Sequence, residues 1–129
     1  MTTATRRGAF ERGDFDVHYQ PQCDLGSGEI IGYEALLRWN HPERGVLTPP
    51  VFLEMAEESG AIGPIGDWVV RQACCMSQQL RKAGLGNLHV AINLSPKQFS
   101  DPDLVASIST ILKEEALPPH LLELELTEG

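Results

Sequence analysis

The 129-residue chain is predicted to be an α/β protein, with a largely parallel sheet and helices packed outside it. Three observations predict this. The apolar pattern switches between period two and period 3.6 in the order β-β-α-α-β-α-β. The run from Leu88 to Leu94 is nearly all apolar, as in a strand buried on both faces. Three short runs, Glu34-Ala35-Leu36-Leu37-Arg38-Trp39, Asn93-Leu94-Ser95 and Glu125-Leu126-Thr127-Glu128, each put an oxygen-bearing side chain near a strand end. Side chains drawn from the ends of successive strands are how a (β/α)₈ barrel builds its active face.

Residues 1–13 are polar and read as a lead-in segment. Phe15, Val17 and Tyr19 alternate with Asp16, His18 and Gln20, which predicts the first strand. Pro21 to Gly28 holds turn signals, and Ile30 to Trp39 is the second strand. The short connection predicts that these two strands run antiparallel. Asn40 to Leu47 reads as a loop. Thr48 then caps a helix with prolines in its first turn, ended at Gly60. Ile65, Val69, Ala73, Met76, Leu80 and Ala83 mark a longer helix that Gly84 ends. After the strand Leu88–Leu94, Asp101-Pro102 starts a further helix with Leu104, Ile108, Ile111 and Leu112 on one face, broken by Pro118-Pro119. Leu121 to Thr127 alternates strictly and is the last strand.

Composition narrows the function. A chain of this length is expected to be one domain. The formal net charge of −8 disfavours a nucleic-acid polymer as partner, since that needs a basic face. An anionic ligand would need a local cation, from a metal or a placed Arg. Cys23, Cys74 and Cys75 give an odd count with no metal spacing, as expected of free thiols in a reducing compartment. Arg6-Arg7 is not followed by an apolar stretch, so it is not read as a twin-Arg export signal, and no apolar run is long enough for a membrane span, so a cytoplasmic location is expected.

Within the second strand, Glu34, Leu36 and Arg38 share a face. Glu34 and Arg38 are roughly 13 Å apart along it, so one can hold a metal while the other forks a phosphate. The competing reading is a polar strand end with an exposed ion pair. Asn93 sits inside an apolar run, where a buried amide needs partners. It either coordinates a metal or bonds a neighbouring strand or loop. Glu123, Glu125 and Thr127 face away from Leu122, Leu124 and Leu126. In a closed barrel this turns the carboxylates inward, where they must be paired or metal-bound. In an edge strand the same pattern is a solvated acidic face. The four histidines show no metal spacing, and Trp39 and Trp68 read as packing residues.

Taken in order, Tyr19-Gln20-Pro21, Glu34-Ala35-Leu36-Leu37-Arg38-Trp39, Asn93-Leu94-Ser95 and Glu125-Leu126-Thr127-Glu128 resemble the EAL domain, the bacterial cyclic di-GMP phosphodiesterase family. Phe52 to Gly60 is similar to the first helix of that family's barrel. The resemblance implies a TIM-type (β/α) barrel with an antiparallel first strand. It implies Glu34, Asn93 and Glu125 as ligands of Mg²⁺ or Mn²⁺, with Glu34, Glu125 and Glu128 as catalytic residues. Gln20, Leu36 and Arg38 would contact the substrate, Arg38 through phosphate, and Glu128 would hold a loop over the site. The implied reaction is hydrolysis of cyclic di-GMP to linear pGpG, in bacterial signalling.

The family's next strand carries an Asp-Asp pair, followed by a Lys, a Glu and a Gln, and none of these stands within the 129 residues. The expectation is therefore a lead-in over 1–13 and a partial EAL domain over 14–129, a truncated half-barrel that is inactive by itself. The alternatives are a non-catalytic module that binds cyclic di-GMP or another EAL chain, as in a homodimer, and a fragment without a function of its own.

Overall fold

The computed structural model describes residues 13–47 and 62–126. In chain order the elements are β1 (Phe15–Cys23), β2 (Ile30–His41), β3 (Gly45–Leu47), α1 (Ile62–Lys82), β4 (His89–Leu94), α2 (Pro96–Phe99), α3 (Leu104–Glu114), a 3₁₀ turn (Pro119–Leu121) and β5 (Leu122–Leu126). The helix expected from Thr48 to Gly60, the lead-in up to residue 12, and Glu128 lie outside the described residues.

The sheet runs in the order β1-β2-β4-β5, with β3 paired to the far end of β2. β1 is antiparallel to β2, whereas β2–β4 and β4–β5 are parallel. The helices crossing between the parallel strands cover one face of the sheet. Against that face pack Ala35, Val90, Ile92 and Leu94 from the strands, with Val70, Ala73 and Cys74 from α1 and Ile108, Ile111 and Leu112 from α3. Val90 and Ala91 are wholly buried and Ile92 is nearly so, as the apolar run predicts. A second cluster joins Phe15, Trp39 and Ile65. The Phe15 and Trp39 rings stack at 5.7 Å and 23°. Tyr19 ties β1 to α1 by donating from its hydroxyl to the Gln72 carbonyl at 3.1 Å. Arg71 of α1 reaches Glu114 at 2.8 Å and Glu115 at 3.2 Å, linking the two helices at their exposed edge.

Four local features differ from the sequence expectation. β1 continues through Pro21 to Cys23 instead of turning at Pro21. Among the described residues β1 stands at the end of the sheet, where the N–H that proline lacks can lie on the side away from β2. The segment expected to be a loop up to Leu47 folds back as β3, pairing Asn40 with Val46 and Trp39 with Leu47. Ser95 caps a four-residue helix, α2, that no sequence expectation assigned, through a reciprocal box with Gln98. Helix α3 stops at Glu114, ahead of the prolines.

Both long helices end in the same way. Leu85 N–H bonds the Leu80 carbonyl and Gly84 N–H bonds that of Arg81, while Leu117 N–H bonds the Leu112 carbonyl and Ala116 N–H that of Lys113. These are paired 6→1 and 5→2 closures of the Schellman type. The residue in the left-handed conformation is Gly84 (φ 82°) in the first and Ala116 (φ 55°) in the second.

Candidate functional site

Strand alternation sends the polar residues to the face that the helices leave open. Gln20, Glu34, Ala91 and Glu123 form one row across β1, β2, β4 and β5. One step toward the strand ends, Asn93 pairs with Glu125. Neighbouring strands are about 4.8 Å apart and Glu125 lies two residues further along the sheet than Glu34, so their backbones flank β4 at roughly 12 Å from each other. Ala91 lies in the row between Glu34 and Glu123, and its small side chain leaves space beside the longer ones.

Asn93 donates from Nδ2 to Glu34 Oε2 at 2.8 Å. Of the two uses open to this amide, the bond to a neighbouring strand is thus realised, and its Oδ1 is the atom left to meet a cation. Glu34, Asn93 and Glu125 are each half-buried. A carboxylate, an amide and a second carboxylate are hard oxygen donors of the kind Mg²⁺, Mn²⁺ and Ca²⁺ take. The residues present therefore fit such an ion by chemistry. Among the described residues, no group of three His, Cys, Asp or Glu side chains forms a separate metal cluster.

Gln20 is exposed on β1 directly across from Glu34. Leu36 and Arg38 follow Glu34 on the same face, opposite His18 and Asp16. The Arg38 guanidinium donates from Nη1 to the Leu37 carbonyl at 2.7 Å. That bond occupies one donor of five and leaves the rest of the fork for another acceptor.

At the opposite end of this face lies a contact that spacing alone does not reveal. His89 Nε2 sits 2.9 Å from Gln22 Oε1 and 3.0 Å from Glu123 Oε2, joining β1, β4 and β5. Gly32 lies in register with both Gln22 and His89. A Cβ there would stand 2.7 Å from the imidazole, so only glycine leaves the ring its place. A glycine inside an otherwise regular strand is the signal that marks such a close approach. A cavity of about 320 Å³, lined by Val70, Leu94, Gln98 and Ile108 among others, belongs to the helix layer and not to the carboxylate face.

Two groups on the covered side have displaced proton affinities. Burial, aided by Cys75 and Asp16, pushes the Tyr19 hydroxyl from 10.0 up to about 12. Burial, aided by the Glu115 carboxylate, pushes the Cys74 thiol from 9.0 up to about 11. Both belong to packing, away from the carboxylates. Among the described residues, no helix is long and apolar enough to cross a membrane.

Residues 3–129 match the EAL domain. An uncharacterized protein of Synechocystis sp. is 45% identical over 121 residues, covering 94% of this chain and 17% of that protein. The bifunctional diguanylate cyclase/cyclic di-GMP phosphodiesterase MucR of Pseudomonas aeruginosa is 43% identical over 123 residues, 95% of this chain and 18% of its own length. The solved PaMucR phosphodiesterase in complex with c-di-GMP superposes with a TM-score of 0.91 at 41% identity, over 98% of this chain and 51% of that one. The chain thus spans less than a fifth of these two relatives and about half of the solved phosphodiesterase chain. The fold is that of the EAL structures, a TIM-type barrel of which these strands and helices form a part, and the chain belongs to the EAL domain family.

Proposed function

We propose that this chain supplies the first part of a cyclic di-GMP phosphodiesterase site, with Glu34, Asn93 and Glu125 holding Mg²⁺ or Mn²⁺. The observation that carries this reading is the Asn93–Glu34 contact at 2.8 Å with Glu125 in register beside Asn93. A divalent ion in that position polarises phosphate and lowers the pKa of bound water. Glu34 and Glu125 balance the ion's charge and orient it. Arg38 forks a phosphate oxygen of the nucleotide, Gln20 bonds its polar edge, and Leu36 lines the pocket wall. Glu128 braces the loop over the site. The product is linear pGpG.

Three protein oxygen donors fall short of the six that octahedral Mg²⁺ takes, and the remainder come from water, phosphate and further carboxylates of a barrel. The 129 residues alone are therefore proposed to bind cyclic di-GMP weakly and not to hydrolyse it. Catalysis needs a water held in line and a fixed charged surrounding. The free thiols Cys23, Cys74 and Cys75 support a reducing, cytoplasmic setting. A second reading, a non-catalytic module that binds cyclic di-GMP or another EAL chain, rests on the same shortage of donors.

The test is to incubate the chain with cyclic di-GMP and Mn²⁺, following binding by calorimetry and pGpG by chromatography. The expected result is Mn²⁺-dependent binding that Glu34→Gln removes, with no pGpG. Joined to the later strands of an EAL barrel, the chain is expected to produce pGpG, and Glu34→Gln to abolish it. Turnover equal in parent and Glu34→Gln would refute the ligand role of Glu34.

A further inference from the structure

Gln98 stands outside the residues assigned to the site, yet its side chain secures the turn that follows Asn93. Its Oε1 accepts from Ser95 N–H at 2.8 Å, and the Gln98 backbone N–H donates to Ser95 Oγ at 3.2 Å. Ser95 is 5% exposed, so water cannot readily take over either bond. Pro96 follows, with a fixed φ and no N–H of its own. On the other side of Gln98 is helix α1. A Cβ at Gly66 would stand 2.9 Å from Gln98 Nε2, so an alanine there requires the end of the Gln98 side chain, whose Oε1 holds Ser95 N–H, to shift.

These contacts bear on Asn93 because of where the strand is held. Leu94 is fixed in the core at 3% exposure. Ser95 is fixed by the reciprocal box. The backbone that carries Asn93 is then clamped on its C-terminal side by two residues in succession, and its amide is left on the open face against Glu34. We infer that Gln98, seated against Gly66, is a positioning residue for Asn93: it holds the β4–α2 turn so that the Asn93 amide stays on Glu34. This rests on Asn93 belonging to the site proposed above. Residues that orient ligands from behind govern affinity even though they touch no ion.

The test uses the ¹⁵N-labelled 129-residue chain, free of metal, with the Asn93 side-chain NH₂ signals assigned by their loss in Asn93→Asp. Gln98→Ala and Gly66→Ala are expected to move that pair of signals and to weaken Mn²⁺ binding by about 10-fold. Gln98→Glu keeps an acceptor for Ser95 N–H and is expected to leave the pair where the parent has it. Gly66→Ala separates positioning from stability, since alanine is the better helix former. Signals unmoved in both Gln98→Ala and Gly66→Ala overturn the proposal, whatever happens to the melting temperature. Signals that move as stated in a chain that does not bind Mn²⁺ uphold the positioning role and refute the metal reading instead.

Discussion

Asn93 and Glu34, on neighbouring parallel strands and 59 positions apart, meet through a 2.8 Å hydrogen bond from amide to carboxylate. Asn93→Asp replaces the donor with a second anion at that distance. In EDTA the variant is expected to lose about 1–3 kcal/mol of stability, the cost of an unpaired, half-buried polar contact. Millimolar Mn²⁺ should restore more stability to the variant than it adds to the parent. Thermal melts with and without the ion check this. Equal ion effects in both chains would mean that these side chains do not meet a cation.

Ala116 adopts φ 55° in the closure where the corresponding residue of α1 is Gly84. The left-handed conformation is costly for a residue with a Cβ. Ala116→Gly should therefore stabilise the chain by about 0.5–1 kcal/mol, the relief of strain outweighing the added freedom of the unfolded chain. Denaturant titration reads the gain as a higher midpoint at constant slope.

Alkaline pH should destabilise the chain over two overlapping ranges. Cys74 is raised from 9.0 to about 11 and Tyr19 from 10.0 to about 12. With both values raised in the folded state, the unfolded chain loses these protons first. The stability they contribute is fully present below about pH 9 and is lost as pH rises toward 12, by at most about 2 kcal/mol per group. Cys74→Ala should flatten the fall between pH 9 and 11, and Tyr19→Phe the fall between pH 10 and 12. Urea midpoints across this range provide the measurement.

Gly32→Ala should cost about 2–3 kcal/mol, since the new Cβ would stand 2.6 Å from the His89 carbonyl oxygen as well as 2.7 Å from its ring. Adding His89→Ala should not restore the loss, because the carbonyl remains. Full rescue by the double variant would assign the constraint to the ring alone.

Among the described residues, β5 is an end strand, and Leu124 and Leu126 on its helix-side face are 38% and 59% exposed. The isolated chain is expected to self-associate through this edge. Light scattering should find dimers or larger species, and Leu126→Lys should shift them toward monomer. A monomer with a sharp cooperative melt would contradict this.

Much of the architecture was legible in the sequence. The apolar run at β4, the alternation of β1 and β5, and the stripe and Gly84 end of α1 follow from local rules that the structure obeys. The end of α3 was not legible, because a Schellman closure built on alanine has no glycine to announce it. The extension of β1 through Pro21 depends on the place of β1 at the end of the sheet formed by the described residues, a tertiary fact. The same holds for the face shared by Glu34, Asn93 and Glu125. Strand parity places each on one side of its own strand, but the contact between Asn93 and Glu34 needs the β2–β4 register, which only the folded chain sets. The contact of His89 with Gln22 and Glu123 escaped notice for that reason, and Gly32 was the local hint.

The division of the sheet into a packed face and a polar face has an evolutionary consequence. Residues that keep the chain folded, such as Val90, Ile92 and Leu94, are not those that would bind an ion or a nucleotide, such as Glu34, Asn93 and Arg38. Selection can therefore act on the two sets separately. A lineage that abandons the chemistry can alter Glu34 or Glu125 and still inherit an intact scaffold, free to be recruited as a receptor or a docking platform.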